Sequence, residues 1–356
     1  WDETISAKAP TCFRQETGTL EEANLGHLQK LKKEIRLEEK LLKPLLVSEV
    51  EKGIWPMLKF SKQIKNLVAL KQKYLALLTS KYNLHSTQVD RQVLSWLNNL
   101  DMRIFAIETV YRSKGSKTPG TDGIKLNREN LLDHLEMLTT NQLLEYKASG
   151  IRRVFIPKKE RNKVRPLGIP TIRDRIVQTL FVQVIEPIID PHADVFSYGF
   201  RKGRSAHQAI GELSRILNVH PYLRRKSTSR RYFSHSKYVL QIDIKGFFDN
   251  VNHKFILDNY PMPKKYKGIL NDWLTADIYY RDTKTQQETG FPQGSVIGPS
   301  LANFTLNGLE KTIQPTQVTR VDEEKLKFLA SVGEKYKPGQ SNVRKTLINR
   351  IIRYAD

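Results

Sequence analysis

The segment Tyr238-Val-Leu-Gln-Ile-Asp-Ile-Lys-Gly-Phe-Phe-Asp249 guides the interpretation of the rest of the chain. Its apolar and β-branched residues predict a buried strand through Ile244, which Gly246 then breaks. Asp243 lies near the end of that strand, where a buried carboxylate is costly without a partner such as a metal ion. Asp243 is therefore interpreted either as a metal ligand or as a residue that caps the following turn. From Asn252 the pattern becomes helical.

Size and charge limit the classes of protein to consider. The chain has 356 residues, of which 59 are Lys or Arg and 37 are Asp or Glu, giving a net charge of +22. This length predicts two or three subdomains. The basic balance indicates a polyanionic partner, with nucleic acid favoured over a membrane. No apolar run approaches the roughly 18 to 20 residues of a membrane span. The one cysteine, Cys12, excludes internal disulfides and a cysteine-built zinc site.

Three amphipathic helices are predicted before residue 110. The first begins near Leu20 and is expected to kink or end at Pro44. The second follows the apolar positions from Phe60 to Leu78 and has a lysine-rich outer face, and the third contains Val93 to Ile107. The first two helices form either an RNA-binding or partner-binding extension, or a helical hairpin packed on the main body with a solvated basic face.

Two basic segments with turn residues follow. The loop from Ser113 to Gly123 can bring backbone amides close to an anion, or it is a plain connector. Residues 151–157 and 164–170 predict two short strands around a turn that carries Lys158 and Arg165. A basic hairpin of this type can hold a triphosphate, or it is an exposed hairpin that keeps the chain soluble. The helix from Thr171 to Ile189 has an apolar core stripe.

Aromatic and basic residues alternate from Phe196 to Ser205, a mixture that suits a nucleic-acid strand because rings stack on bases and cations meet phosphates. A basic insertion from Leu223 to Arg231 predicts contact with an RNA backbone. The RNA-binding candidates in these two segments are Arg201, Lys202, Arg204, Arg224, Arg225, Arg230 and Arg231.

The last third of the chain predicts a turn that leads into a helix, from Thr289 to Asn303, in which the Gln293 amide could touch a base or a sugar. A polar, loop-prone segment extends from Gln314 to Asn342. The final residues, Leu347 to Asp356, predict a strand that ends on an aspartate.

These segments resemble, in their order, the sequence blocks of a known family. Residues 242–249, 292–299 and 353–356 look like motifs A, B and C of reverse transcriptases. Residues 114–124, 165–175 and 198–206 look like the upstream blocks of group II intron-encoded reverse transcriptases, also called maturases. The resemblance covers residues 95–356.

The resemblance implies an α+β fold of the right-hand polymerase type. Residues 1–90 would be a helical basic extension, residues 91–235 a fingers-like region, and residues 236–356 the palm. Motif C of the family carries two adjacent aspartates and is followed by a thumb. Because the sequence stops at Asp356, the first of the two, we expect either a fragment of a longer protein or a gene product truncated within motif C, in both cases with the thumb missing.

The resemblance also implies roles for individual residues. Asp243 and Asp356 would be the catalytic carboxylates and, with the Ile244 carbonyl, the ligands of Mg²⁺. Two such cations stabilise the entering and leaving oxygens of nucleotidyl transfer. Phe248 matches the steric gate that disfavours a 2′-hydroxyl, and Asp249 is interpreted as an anchor of the turn. The nucleotide-binding residues implied are Lys158, Arg165, Ile244, Phe248, Gln293 and Gly294.

The function implied is RNA-directed DNA synthesis from dNTPs on an RNA template with a DNA primer, together with binding of a group II intron RNA to assist splicing. The alternative is a catalytically inactive remnant that only binds RNA or assists splicing. A diversity-generating or retron-type reverse transcriptase is a third interpretation, disfavoured by the long helical N-terminal region. A composition rich in Lys, Asn and Ile favours a mitochondrion, with a chloroplast or the bacterial cytoplasm as alternatives. No membrane association is expected.

Overall fold

The computed structural model describes residues 19–157, 163–217, 239–313, 317–320, 344–347 and 351–355. The chain combines helices with a mixed sheet, which confirms the α+β class. The α-helices are α1 (Thr19–Glu51), α2 (Met57–Lys81), α3 (Thr87–Leu97), α4 (Leu100–Tyr111), α5 (Leu131–Glu136), α6 (Thr140–Leu144), α7 (Ile172–Ile189), α8 (Ala206–Leu217), α9 (Phe247–Asn250), α10 (His253–Asn259), α11 (Lys267–Leu274), α12 (Gly298–Thr305) and α13 (Leu309–Ile313). The strands are β1 (Ile151–Pro157), β2 (Val164–Ile169), β3 (Ile278–Tyr280), β4 (Thr283–Thr285), β5 (Gln317–Arg320) and β6 (Arg344–Leu347).

The two N-terminal helices pack against each other and against the body of the chain. Pro44 was predicted to end or kink the first helix. It does not end the helix, because α1 continues to Glu51 with Pro44 inside it. Pro44 lies on the exposed side, between the buried residues Leu42 and Leu46. The missing amide and ring clash cost roughly 3 kcal/mol, and burial of the apolar stripe against α2 offsets that cost.

The third predicted helix is in fact two helices. α3 ends at Leu97 and α4 begins at Leu100, with Asn99 in an extended conformation at the N-cap of α4. Val93 and Leu97 are buried in α3, and Ile104 and Ile107 are buried in α4. The apolar positions that define the predicted amphipathic helix are therefore buried, but the turn at the two consecutive asparagines was not predicted. Asparagine competes for backbone hydrogen bonds and so favours such caps and turns.

Helix α7 lies at the centre of the fold. It packs against α2, α3 and α4 on the N-terminal side and against α12 on the C-terminal side. Residues along its whole length are buried, as expected for a helix surrounded by other helices. Most of the buried apolar residues form one cluster that extends from Leu28 to Ala302. The division of the chain at residues 90 and 235 stays a prediction.

The predicted basic hairpin is confirmed as β1 and β2, which pair antiparallel from Arg152 opposite Ile169 to Pro157 opposite Val164. β1 also pairs parallel with β3, and β3 pairs antiparallel with β4, so that the sheet order is β2-β1-β3-β4.

The buried strand predicted at residues 239–244 is wrong. These residues form no strand, and Val239, Leu240 and Ile242 are 67 %, 82 % and 64 % exposed. β-Branched residues favour extended backbone locally, but a strand becomes buried only through partner strands distant in sequence. Within the described residues no strand pairs with this segment. The helix predicted from Asn252 is confirmed, because the Asn252 side chain accepts a hydrogen bond from Phe255 N at 3.0 Å and caps α10.

Two further predictions near the C-terminal end of the sequence are corrected. The segment expected to be a loop from residue 314 contributes β5, which pairs antiparallel with β6 (Gln317 opposite Leu347). A strand was also expected from Leu347 to Asp356. Residues 351–355, which the structure describes, form no strand, and Arg353 makes only an isolated parallel bridge with Ser197. A polar composition did not prevent pairing here because antiparallel pairing uses the backbone, which every residue except proline supplies in full.

Among the helices described above, none has both the length and the apolar character that crossing a bilayer requires.

Candidate nucleotide and nucleic-acid site

The turn that contains Gln293 is fixed on strand β2 by backbone and side-chain contacts. Gly168 N donates to the Gln293 carbonyl at 2.6 Å, and Arg165 Nε donates to Gln293 Oε1 at 2.9 Å. Gly294 has φ of +111°, and a Cβ there would lie 2.4 Å from the Gly168 carbonyl oxygen. Only glycine fits this approach without strain. Three predicted nucleotide-binding residues, Arg165, Gln293 and Gly294, therefore meet although 128 positions separate the first two.

The end of the motif A segment is attached to the same turn. Phe291 N donates to the Phe248 carbonyl at 2.8 Å, and the two rings meet edge to face with centroids 5.2 Å apart. Gly290 has φ of +72°, and a Cβ there would lie only 2.2 Å from the Phe248 oxygen. Phe248 is therefore held beside the turn that carries Gln293. Ile244 lies four residues earlier, before α9 begins, and its carbonyl accepts from Phe247 N at 3.3 Å.

Two supporting residues were not predicted. His253 Nε2 donates to the Gly290 carbonyl at 2.5 Å, and Gln178 Oε1 accepts from Val296 N at 2.9 Å. Gln178 is buried within α7, where the sequence predicted only a core stripe. A glutamine at a core position of a buried helix was the available signal, because such an amide must find a hydrogen-bond partner.

The residues before Asp356 are attached to the Phe196–Gly199 segment. Arg353 N donates to the Phe196 carbonyl at 2.9 Å, and Tyr198 N donates to the Arg353 carbonyl at 2.9 Å. A Cβ on Gly199 would lie 2.2 Å from Ala355 N, so the two backbones touch. Asn303, on α12, joins both segments: its Nδ2 donates to the Gly199 carbonyl at 3.0 Å and its Oδ1 accepts from Arg353 Nη1 at 3.3 Å.

These contacts bring α12, the helix that follows the motif B turn, next to the start of motif C. Burial lowers the pKa of the Arg353 guanidinium, with Asp194 and Glu310 acting in the opposite direction. Neither Arg353 nor Asn303 was predicted from the sequence to be a supporting residue.

The glycine-rich loop before the hairpin is fixed by Arg175. Its guanidinium donates to the carbonyls of Pro170, Gly115 and Thr118 at 2.9, 2.7 and 2.5 Å. Gly120 also lies against Thr171, since a Cβ there would be 2.6 Å from the Thr171 Cα. The loop is therefore held against the start of α7. Its role, as a phosphate-binding loop or as a plain connector, stays a prediction.

A buried network supports the base of the hairpin. The Asp174 carboxylate accepts from the Tyr146 hydroxyl at 2.5 Å and from the Thr171 hydroxyl at 2.7 Å, and Trp273 Nε1 donates to the Tyr146 oxygen at 2.9 Å. Burial raises the pKa of Asp174, although the hydrogen bonds from Tyr146 and Thr171 act against it. Burial, reinforced by the nearby Asp174, also raises the pKa of Tyr146.

Asp243 lies on the exposed segment before α9, and among the described residues it has neither an ion pair nor a side-chain hydrogen bond. It therefore does not cap the following turn, where the Asn250 amide instead donates to the Gly246 carbonyl at 2.8 Å. The carboxylate of Asp243 and the carbonyl of Ile244 are hard oxygen donors, which fit Mg²⁺. No cluster of three metal-binding side chains occurs in the ranges that the structure describes. The oxygen donors of Asp243 and Ile244 therefore fit Mg²⁺. Of the two predicted carboxylate ligands, Asp243 lies within the described residues and Asp356 lies outside them.

The predicted RNA-binding residues differ in their surroundings. Arg201 Nε pairs with Asp190 at 2.7 Å, and its other nitrogens donate to the carbonyls of Asp190, Asp194 and Ser197, so its geometry favours a structural role. Lys202 is exposed, with Glu186 at 3.4 Å, and the Arg204 guanidinium lies 5.4 Å from the Tyr198 ring centroid. Lys158, Asp356, Arg224, Arg225, Arg230 and Arg231 lie outside the described residues.

Comparison with known proteins identifies the family. The model of the family "Reverse transcriptase (RNA-dependent DNA polymerase)" matches residues 156–356. The chain is 33 % identical to Protein YkfC of Escherichia coli over 211 residues, which are 56 % of this chain and 51 % of YkfC. It is 28 % identical to the group II intron-encoded protein LtrA of Lactococcus lactis over 243 residues, 64 % of this chain and 36 % of LtrA. It is 27 % identical to the putative COX1/OXI3 intron 1 protein of Saccharomyces cerevisiae, covering 65 % of this chain and 26 % of that protein.

The matched region thus spans about half or less of each of these relatives. The family match begins at the end of β1 and includes β2, the motif A segment, the Gln293 turn and the approach to Asp356, whose contacts are described above. The resemblance to reverse transcriptases inferred from the motifs is confirmed, with group II intron proteins among the distant relatives. The chain belongs to the reverse transcriptase (RNA-dependent DNA polymerase) family.

Proposed function

We propose that the chain forms the fingers and palm of an RNA-directed DNA polymerase that binds a group II intron RNA. One observation carries the proposal: the hydrogen bond from Arg165 to Gln293 joins the basic hairpin to the turn beside Phe248. A cation on the hairpin, an amide on the turn and a ring beside that turn are the groups that an incoming nucleotide needs for its phosphates, base and sugar.

Mg²⁺ is the cofactor that this site would use. Asp243 and Asp356, with the Ile244 carbonyl, would hold the ion, which when bound stabilises charge on the entering and leaving oxygens of nucleotidyl transfer. The protein's own residues orient the nucleotide: Arg165 and Lys158 attract the triphosphate, and Gln293 and Gly294 support the base.

Phe248 supports selection of deoxynucleotides. Its ring is half-buried and contacts Phe247 and Phe291, at centroid distances of 5.7 and 5.2 Å. A ring held by two neighbours cannot move aside easily for an extra hydroxyl, because packed aromatic contacts resist displacement. In our proposal this ring lies under the sugar and favours dNTPs over ribonucleotides.

The RNA partner is proposed from charge and from relatives. The chain carries a net charge of +22, and two similar proteins are named after introns, one of them a group II intron. Lys202, Arg204 and the basic insertion around residues 224–231 would contact intron or template RNA through phosphates. We propose a mitochondrial location on the basis of the composition rich in Lys, Asn and Ile, with the bacterial cytoplasm or a chloroplast as alternatives. The similar proteins come from both bacteria and yeast.

Primer extension tests the proposal. The full chain is incubated with a DNA primer annealed to an RNA template, dNTPs and Mg²⁺, and compared with Asp243→Asn. Asp258→Asn serves as the matched control, because Asp258 is an exposed aspartate on α10 outside the motifs. Wild type and the control are expected to extend the primer, and Asp243→Asn is expected to lose extension while keeping its affinity for intron RNA. Intron binding by a wild-type chain that makes no DNA would instead support the RNA-binding alternative.

A further inference from the structure

Asn303, on α12, lies between two segments of the chain that are distant in sequence. Its Nδ2 donates to the Gly199 carbonyl at 3.0 Å, and its Oδ1 accepts from Arg353 Nη1 at 3.3 Å. Gly199 precedes Asn303 by 104 positions, and Arg353 follows it by 50. One half-buried side chain therefore joins residues 196–199 to residues 353–355, and we call this contact region the Asn303 junction.

The backbones of the two segments are in close contact at the Asn303 junction. Gly199 has no room for a side chain, because a Cβ there would lie 2.2 Å from Ala355 N. Ala355 itself has φ of +71°, a left-handed conformation that is unfavourable for alanine. Such a conformation persists only where the surrounding structure imposes it. The backbone that leads into Asp356 is therefore held by its contacts and not by its local preference.

Arg353 supplies part of that restraint, and Asn303 orients it. Arg353 is 7 % exposed, and its Nη1 donates both to Asn303 Oδ1 and to the Ala355 carbonyl, each at 3.3 Å. Its Nε and Nη2 have no hydrogen-bond partner among the described residues. A buried guanidinium with so few partners depends on each of them for its orientation. Loss of the Asn303 oxygen would therefore also weaken the bond to the Ala355 carbonyl.

The other end of α12 is fixed beside the turn that carries Gln293. Gln178 Oε1, from α7, accepts from Val296 N at 2.9 Å, just before α12 begins at Gly298. Asn303 lies within the same helix, whose backbone rises about 1.5 Å per residue and is stiffened by its own hydrogen bonds. Helix α12 therefore connects the turn of the proposed nucleotide site to the Asn303 junction.

We propose that Asn303 is a positioning residue for nucleotidyl transfer. It holds the backbone that ends at Ala355 and thereby places Asp356, the next residue, relative to the turn at Gln293. Asn303 acts through this backbone and contacts neither the nucleotide nor the metal ion. The inference rests on the proposed function for the role of Asp356. The Asn303 junction can nevertheless be measured without nucleotide, primer or Mg²⁺.

Asn307 provides a matched control. It follows α12 and also forms two hydrogen bonds with the upstream segment: its Oδ1 accepts from Asp194 N and its Nδ2 donates to the His192 carbonyl, both at 2.9 Å. Among the described residues, no hydrogen bond joins the Asn307 side chain to residues 351–355. Asn307→Ala therefore removes a bridging amide of the same kind and leaves the Asn303 junction intact.

Hydrogen–deuterium exchange of the full chain, without Mg²⁺ or dNTPs, tests the junction. The Tyr198 amide donates to the Arg353 carbonyl and the Arg353 amide to the Phe196 carbonyl, both at 2.9 Å, so both amides should be protected in wild type. Asn303→Ala should raise exchange in peptides covering residues 196–199 and 351–355 by about 5- to 100-fold, the effect of two lost hydrogen bonds. Asn307→Ala should raise exchange only in peptides covering residues 192–195.

Single-nucleotide incorporation by the full chain tests the positioning role. Asn303→Ala should lower kcat by about 10- to 100-fold, because a catalytic group displaced by about 1 Å has an effect of that size. The dNTP concentration at half-maximal rate should stay unchanged, because Arg165 and Gln293 keep their contacts. Asn307→Ala should keep both values of wild type.

Three results would overturn the proposal: unchanged exchange at residues 196–199 and 351–355 in Asn303→Ala, an equal rise at those residues in Asn307→Ala, or a kcat of Asn303→Ala equal to that of wild type. Thermal unfolding of each variant identifies misfolding. If Asn303→Ala is unfolded, Asn303→Asp replaces it, because aspartate keeps the acceptor for Arg353 and removes the donor to Gly199. Wild type that makes no DNA but shows the expected exchange would contradict the proposed polymerase and support the Asn303 junction.

Discussion

Arg165 and Gln293 are joined by a 2.9 Å hydrogen bond across 128 positions of sequence. Arg165 projects from the basic hairpin and is exposed, whereas Gln293 is half-buried in a turn whose backbone also bonds to Gly168. An exposed side-chain bond contributes little to stability, so its value lies in orienting two groups toward a shared ligand. This pairing is the basis of the proposed nucleotide site.

Replacing Gly290 by alanine should unfold the site by a steric conflict. Gly290 and Gly53 both have φ near +70°, but a Cβ at Gly290 meets the Phe248 oxygen at 2.2 Å and one at Gly53 meets nothing within 4 Å. Gly53→Ala should therefore show only the left-handed backbone cost of about 1 to 2 kcal/mol. Gly290→Ala should cost about 1 to 3 kcal/mol more in the free energy of unfolding by urea. Equal costs for the two variants would show that the close approach to Phe248 is absent.

Lys71→Met should strongly destabilise the N-terminal helices. Lys71 is fully buried and pairs with Glu39 at 2.7 Å and Asp101 at 2.7 and 2.9 Å. Its loss leaves two carboxylates without their cation, which costs about 3 to 5 kcal/mol in the free energy of unfolding. The matched control is Lys284→Met, which breaks an exposed pair with Asp277 and should leave urea unfolding unchanged. A small effect of Lys71→Met would mean that solvent reaches Asp101.

Asp174→Asn should change how stability depends on pH. Burial raises the pKa of Asp174 in the folded chain above its ordinary value of 3.8, so the folded state binds the proton more tightly than the unfolded state does. The stabilisation from this group is complete below pH 3.8 and is lost as pH rises through the folded pKa. The free energy of unfolding of wild type minus that of Asp174→Asn should therefore be larger at about pH 4 than at about pH 7. A constant or rising difference contradicts the raised pKa.

Phe248→Ala should relax the choice between sugar types. Removing the ring opens space where a 2′-hydroxyl would lie, so incorporation of ribonucleotides relative to dNTPs should rise by about 10- to 200-fold. Single-nucleotide incorporation with each nucleotide measures the ratio. Phe248→Tyr keeps the ring and should keep the discrimination of wild type. An unchanged ratio in Phe248→Ala would place the sugar away from this residue.

Local sequence signals predicted several elements correctly. The Arg- and Lys-rich hairpin, the helix capped by Asn252 and the turn before α12 follow from turn residues, a capping side chain and apolar spacing, all of which act over a few residues. The same signals failed at Val239–Ile244 because burial of a strand depends on distant partners. They also failed at Pro44, where packing of Leu42 and Leu46 outweighed the local cost.

The candidate site was predictable from motifs in part. Arg165, Phe248, Gln293 and Gly294 came from the resemblance, and the structure places them along one chain of contacts. The partners of the supporting residues Gln178, His253, Asn303 and Arg353 could not be assigned from sequence, because each contact is created by the fold across 37 to 118 positions. Spacing along a chain carries no information about such contacts.

A double-mutant cycle on Arg165 and Gln293 tests the central claim most directly. The dNTP concentration at half-maximal rate is measured for single-nucleotide incorporation by wild type, Arg165→Ala, Gln293→Ala and the double variant. If the two residues form one nucleotide site, their effects are coupled by about 0.5 to 3 kcal/mol. Additive effects within about 0.5 kcal/mol, or a dNTP dependence that neither variant changes, would contradict a shared site.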